Sequence, residues 1–557
     1  MRELAALLRP DGRDLGIVIA FSIAVAILAL TVPIAAQMLI NYVAFGALMQ
    51  PLITLGFVVF LVLTLAAMMR LLITYVVELI QRRLFVRTVS QLGDRLPRVQ
   101  RDTFDLVNGP EMVNRFFDVL TLQKIGAILL LEGVAALLQT VVGLIIVAFY
   151  HPFLLGFSGA LLAASAFVIF VLGRSAVRTA IAESTVKYRV VASLEEIAAN
   201  NNTYKQSDAH ALAFRRADEG AKAYVNTRKA HFRVVFRQVA GALAIQVVAL
   251  SSLLMIGGYL VITGQLTLGQ LVAAELIVSV ALASFTKIAQ KLDGVYDMFA
   301  GVHKLTDLLS LPLERETGEQ HRHPDGPADV RFKGVRFAYP GGRVVFDGFD
   351  LELAPNERVA LIGQHGAGKS TIADMLLAAR APDEGRVELD GVDLRELRTE
   401  SIRHHIAVVG SVEITPGSIE ENVRMGRPDT SLEECRVALD RVGLLDEVRS
   451  LPEGLGTRLS SSGAPLSMGQ RQRLMLARAL AGRPRLLVID DLLDDMDARG
   501  RARIADLLAD RSWLCTVLVL TRHRWVGEIV ERTVWMPTDD DPSGVRPSSE
   551  PQLEGMG

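Results

Sequence analysis

Apolar residues crowd into six long runs before residue 300, and after Val330 the pattern changes to short aliphatic runs alternating with helix-forming stretches. The six runs are Leu15–Val43, Leu52–Ile80, Ile128–Phe149, Phe153–Gly173, Val239–Ile262 and Leu268–Ile288. Each reaches the ~20 residues that an α-helix needs to cross a bilayer. Pro33 falls inside the first and predicts a kink, which membrane helices tolerate. The polar stretches Gln81–Arg101 and Arg174–Arg237 contain few breakers and read as helices extending past the membrane. The second half predicts an α/β domain. The expected organisation is a membrane all-α six-helix bundle over 1–300, a linker over 301–329, an α/β P-loop NTPase domain over 330–537 and a disordered tail over 538–557.

Charge gives this pattern a direction. Arg82, Arg83, Arg87, Arg95, Arg98 and Arg101 follow the second run, and Arg174–Arg237 is also rich in Lys and Arg. The alternate loops, Ala44–Pro51, Tyr150–Pro152 and Thr263–Thr267, contain neither. The positive-inside rule then places both termini and the long loops, and with them the α/β domain, in the cytoplasm. The apolar run behind Arg2, Arg9 and Arg13 is too long for a signal peptide and reads as a retained first span. No cysteine-protease domain is expected ahead of it. Arg70, Glu78 and Glu132 are expected to snorkel at span ends. Glu275, two turns into the sixth span, is a candidate for a transport path or for a buried structural charge.

Composition agrees with a membrane protein: half of the 557 residues are hydrophobic, and the mean hydropathy is +0.33. A formal charge of −2 offers no global basic field for nucleic acid. Cys435 and Cys515 lie far apart and form neither a disulfide framework nor a metal cluster. His321 and His323 in the linker have no companions to complete a metal site.

The chemistry concentrates in Val359–Thr371, VALIGQHGAGKST, an aliphatic strand followed by Gly363-x-x-x-x-Gly368-Lys369-Ser370 and a helix-forming run. Gly363, Gly366 and Gly368 let backbone N–H groups approach phosphate oxygens, and the following helix turns its positive end toward the same anion. Lys369 reaches the terminal phosphates, and the Ser370 hydroxyl is placed for Mg²⁺. Gln364, His365, Ala367 and Thr371 complete the loop as backbone contacts. Leu486–Asp491, LLVIDD, is a second aliphatic strand, ending in carboxylates suited to Mg²⁺ directly or through water.

Together with LSMGQRQR at Leu466–Arg473 and His523 after the strand Thr516–Leu520, these motifs make the chain resemble the ATP-binding cassette (ABC) transporters, specifically exporter-type half-transporters with six spans and one cassette. The resemblance covers Leu15 to about Met536. It implies an ATPase that uses ATP and Mg²⁺. Asp490 matches the magnesium carboxylate, and Ser467, Gly469 and Gln470 match the signature. Asp497 matches the D-loop aspartate, His523 the switch histidine, and Tyr339 the aromatic that stacks on adenine. It also implies a dimer, in which each ATP lies between one phosphate loop and the other cassette's signature. A homodimer is favoured over pairing with a different half-transporter.

Some positions depart from the family pattern. Asp491 stands where a glutamate orients the attacking water, Met468 replaces the first signature glycine, and Gly410 or Ser411 occupies the place of the Q-loop glutamine. Slow turnover is therefore expected. Two functions follow: ATP-driven export of a peptide, protein or lipid across the inner membrane, or a weakly hydrolysing regulatory or assembly subunit of a heteromeric transporter. The spans resemble those of bacterial exporters that work with a periplasmic adaptor. Beyond membrane lipid and these partners, none is implied.

Overall fold

The computed structural model describes residues 7–44, 49–106, 109–206, 208–320, 326–339, 341–342, 344–492, 498–510, 513–536 and 546–547. It divides into two compact units, Met1–Arg98 with Phe104–Leu311, and Val99–Thr103 with Pro312–Gly557.

The first unit is helical, and among the described residues six helices are long and apolar enough to cross a membrane. The chain is a multi-pass membrane protein. The first span is two helices, α1 (Gly12–Ala29) and α2 (Thr31–Ala44), interrupted at Leu30. Pro33 explains the break, because its ring collides with the carbonyl four residues back, that of Ala29. The second span is α3 (Met49–Arg95), whose 47 residues make a rod of about 70 Å. The third is α4 (Asp118–Ile128) and α5 (Val134–Ala148), joined through a π-helical segment, Leu129–Gly133. The fourth is α6 (Pro152–Ala166), continued after a π-helical segment at Phe167–Val171 by α7 (Ala176–Ala199). The fifth and sixth are α8 (Ala209–Ile262) and α9 (Leu268–Leu309). Thr267 caps α9 with a reciprocal bond to Gln270, which fixes its start.

α9 is the central helix of this unit. Ala273, Ala274, Ile277, Val278, Ala281 and Leu282 are buried along one stripe, and the small members let α2, α5 and α8 pack against it. It runs to Leu309, so the stretch expected to be linker from 301 begins as helix. Of the charges expected to snorkel, Glu78 pairs with Arg82 one turn away at 2.8 Å. Arg70 and Glu132 do not reach free helix ends; both line a cavity together with Lys287 and Lys291. Glu275 is exposed on α9 and lines neither that cavity nor its neighbour.

Among the described residues the second unit holds a two-stranded sheet, Gly417–Ser418 with Arg458–Leu459, and two large ones. One is antiparallel, with β2 (Val344–Leu353), β1 (Val330–Ala338) and β4 (Glu384–Leu389) in that spatial order, ending in Val392–Asp393. The other is built on five parallel strands, β8 (Arg532–Trp535), β3 (Arg358–Ile362), β7 (Thr516–Thr521), β6 (Leu486–Asp490) and β5 (Ile406–Val409). Arg546–Pro547, in the stretch expected to be disordered, adds an antiparallel edge. β3 and β7 are buried throughout, which is why they read as unbroken aliphatic runs. Alternate residues of β3 serve two cores. Val359 and Leu361 join the phenylalanines of the antiparallel sheet. Ala360 and Ile362 join the core around α11 (Met468–Ala481). The helix α10 (Lys369–Leu376) follows β3 directly.

Candidate functional site

β3 lies between β7 and β8, and the phosphate loop leaves its C-terminal end, where parallel sheets bind ligands. The Gly363 N–H donates to the Thr521 carbonyl at 3.1 Å, tying the loop to β7. A Cβ on Gly363 would stand 2.6 Å from Met536 Cγ, so only glycine lets the last strand's end close against the loop. Gly368 has φ +95°, and a Cβ there would fall 2.5 Å from Val345 and 2.6 Å from Phe346. Both positions therefore need glycine for reasons internal to the fold, before any phosphate contact is considered.

Lys369 is 4% exposed. Its ammonium donates to the carbonyls of Gly363 at 3.0 Å and Gln364 at 3.2 Å, and lies 3.7 Å from Asp491 Oδ1. Ser370 hydrogen-bonds Asp490. Burial pushes the Asp490 carboxyl above the usual carboxylate range, with the Ser370 bond acting the other way. Asp490 Oδ1 is buried without a hydrogen-bond partner. An orphaned buried acceptor beside a serine hydroxyl is a donor set that fits a hard divalent cation. Asp491, just past β6, adopts φ +49° and holds its N–H on the Leu520 carbonyl at 2.9 Å.

His523 follows β7, and its N–H donates to Thr521 Oγ1, the residue whose carbonyl holds Gly363. Tyr339 lies just beyond β1, and its hydroxyl shares a 2.9 Å hydrogen bond with Thr371 Oγ1 on α10. The Arg380 guanidinium lies over the Tyr339 ring at 4.9 Å. Arg380 also pairs with Asp374 at 2.9 Å and with Asp102. Nothing in the local pattern singled out Arg380; its partners come from distant parts of the chain.

Ser467 caps α11, accepting from the Gln470 N–H, while Gln470 Oε1 accepts from the Ser467 N–H at 2.7 Å. The Gln470 amide also donates to Glu447 at 2.8 Å. Its side chain thus builds the helix start and leaves the first-turn N–H groups available to an anion. Met468 is 55% exposed on the first turn, and Gly469 has open space around it. Among the described residues, no hydrogen bond or ion pair joins 467–470 to 363–371. The structure brings Lys369, Ser370, Asp490 and Asp491 together and leaves the signature elsewhere on the cassette. Gly410 sits beside Asp490: a Cβ there would be 3.5 Å from Asp490 Cβ. Ser411 donates instead to Glu413 at 3.0 Å. Asp497, His321 and His323 lie outside the described residues.

Residues 346–493 match the family model described as ABC transporter, which makes this an ATP-binding domain. The chain is 31% identical over 301 residues to the alpha-hemolysin translocation ATP-binding protein HlyB of Escherichia coli O157:H7, covering 53% of this chain and 42% of that protein. It is 31% identical over 294 residues to the leukotoxin translocation ATP-binding protein LktB of Mannheimia glucosida, covering 52% and 41%. The match therefore spans less than half the length of these relatives. A solved bacterial Atm1-family ABC exporter with ATP bound superposes with a TM-score of 0.82 at 20% identity, covering 96% of this chain and 95% of that one.

Proposed function

Because the chain carries an ABC transporter cassette on the fold of an ABC exporter, we propose that it is one half of an ATP-driven exporter in a bacterial inner membrane, with its cassette in the cytoplasm. The observation that supports this most is the fusion, in one chain, of six membrane-crossing helices to the cluster of Lys369, Ser370, Asp490 and Asp491. In this reading Ser370 and Asp490 would hold Mg²⁺, which would supply charge neutralisation at the transferred phosphoryl group. Lys369 exchanges its loop carbonyls for the terminal phosphate oxygens. Asp491 orients the water, His523 contacts the terminal phosphate, and Tyr339 stacks on the base. The separation of the signature from the phosphate loop supports a second copy, whose Ser467 and Gly469 complete the site. Closure of the two cassettes then drives alternating access. The relatives are named for translocation of alpha-hemolysin and leukotoxin, and a periplasmic adaptor belongs to this reading if the cargo here is a polypeptide.

The second reading, a weakly hydrolysing regulatory subunit, is supported by Gly410, which offers no side chain next to Asp490. One experiment tests both. The full chain carrying Ser461→Cys, labelled for energy transfer between copies, is reconstituted alone in nanodiscs. ATP is expected to bring the labels together and to be hydrolysed slowly, with both effects lost in Lys369→Ala. Closure without turnover supports the regulatory subunit, and neither effect in the unmutated site removes the homodimer.

A further inference from the structure

The membrane unit contains two adjoining cavities with unlike linings. One, of about 440 Å³, carries Arg70, Glu132, Lys287, Lys291, Gln139 and Ser284 among apolar residues such as Ile73, Ile128 and Leu131. The other, of about 380 Å³, is lined by apolar residues including Leu30, Leu63, Ile277 and Val280, and shares Arg70 and Gln139 with the first. Both fall within the size range of small-molecule sites.

The charged cavity is out of balance. Three cations share it with one carboxylate, and among the described residues none of the four is in an ion pair. Lys287 and Lys291 stand one helical turn apart on α9, an arrangement that like charges disfavour. All four side chains are exposed in this chain, so what sets them apart is their position along the helices. Each of the four lies 16 to 23 residues from the end of its helix at Met49, Ala148 or Leu268, about 24–35 Å along the axis. That is one layer, near the far boundary of a hydrocarbon core about 30 Å thick, and ionisable residues within membrane spans mark pathways. Glu132 sits within the π-helical segment Leu129–Gly133, a distortion found often at functional sites.

We infer that this unit binds an amphiphilic anion, its acidic group among Arg70, Lys287 and Lys291 and its apolar tail in the adjoining cavity beyond Gln139. Three cations against Glu132 leave two positive charges, which a phosphate monoester at pH 7 balances with about −1.5 to −2. The acidic group belongs either to a membrane lipid or to a soluble amphiphile entering from the cytoplasm. That the bound anion is cargo rests on the export reading; that it binds does not.

The test uses the full chain in phosphatidylcholine nanodiscs, titrated calorimetrically with hexyl phosphate against empty discs. Hexyl glucoside and inorganic phosphate serve as tail-only and head-only controls. Hexyl phosphate is expected to bind more tightly than either. The double change Lys287→Gln, Lys291→Gln should weaken it at least tenfold, about what losing one charge-assisted hydrogen bond removes, while ATP binding at the cassette is unchanged. Leu63→Trp, which fills the apolar cavity, should weaken hexyl phosphate but not inorganic phosphate. Discs containing phosphatidic acid identify the source: loss of hexyl phosphate binding there assigns the site to a lipid headgroup, and undiminished binding assigns it to a soluble amphiphile. Equal binding of hexyl glucoside, or equal affinity in wild type and the double variant, overturns the inference. Binding without ATP-driven uptake into inverted proteoliposomes removes the export reading and leaves the site standing.

Discussion

Lengthening the side chain at Asp491 by one methylene is expected to speed ATP turnover. Asp491 Oδ1 lies 3.7 Å from the Lys369 ammonium, at the foot of the phosphate loop. Its N–H is fixed on Leu520, so the arm starts from a rigid point. Asp491→Glu extends the carboxylate by about 1.5 Å, one carbon–carbon bond. A reacting group misplaced by about 1 Å costs on the order of a hundredfold in rate. That corresponds to about 2.7 kcal/mol of barrier. Restoring the reach should therefore raise kcat by up to about a hundredfold. Asp491→Asn removes the carboxylate and with it a general-base contribution of about 10²–10⁴. Neither change should weaken ATP binding, since the neighbouring Lys369 stays in place. The assay is phosphate release by purified full-length chain in nanodiscs at saturating ATP, with affinity followed by a fluorescent ATP analogue. Turnover in Asp491→Asn equal to wild type would show that Asp491 does not serve the attacking water. A slower Asp491→Glu would show that arm length is not what limits the rate.

Three other outcomes follow from the structure. Gly410→Gln should be tolerated, because a Cβ there meets only ordinary contacts with Asp490, and it should raise Mg²⁺-dependent ATPase; a lower melting temperature or an unchanged rate would refute this. Asp490 must be ionised to hold a cation, and burial raises its pKa; Mg²⁺-dependent binding of a fluorescent ATP analogue should therefore fail, as pH falls, at a higher pH than an ordinary carboxylate would give. Cys435 and Cys515 are fully buried and burial raises both thiols, that of Cys515 to about 12, so neither should react with maleimide at pH 8 until the cassette unfolds, as mass spectrometry would read.

The sequence was most legible where one stretch carries its own explanation. The phosphate loop is strand, glycines and helix in contiguous order, and the spans announce themselves by length and composition. Pro33 marked the first span's break because its ring acts on a carbonyl only four residues back. Less legible was whatever depends on partners far along the chain. Arg380 has no local pattern, yet it stacks on Tyr339 and pairs with Asp102. Lys287 lies at the edge of the sixth run and Lys291 beyond it, so neither stood out; the continuous helix α9 places them in a cavity with Arg70. The π-helical segment at Leu129–Gly133 leaves the apolar pattern intact and gave no signal at all. Gln470 matched a ligand-contacting motif, but its side chain caps α11 and holds Glu447.

The position of β3 has a consequence for how the protein is made. The phosphate loop is synthesised soon after Ile362, but the strands flanking β3, β7 and β8, begin only at Thr516 and Arg532. The loop's brace, Met536, comes later still. Contacts of such long sequence separation form slowly and late. On the ribosome, all six apolar helices are complete before any nucleotide site can exist, so insertion into the bilayer proceeds without ATP bound to the nascent chain. A message truncated between Leu309 and Met536 would then yield a protein that is membrane-anchored and unable to hold nucleotide. If two copies form the transporter as proposed, such a fragment paired with an intact copy would leave its own phosphate-loop site unformed.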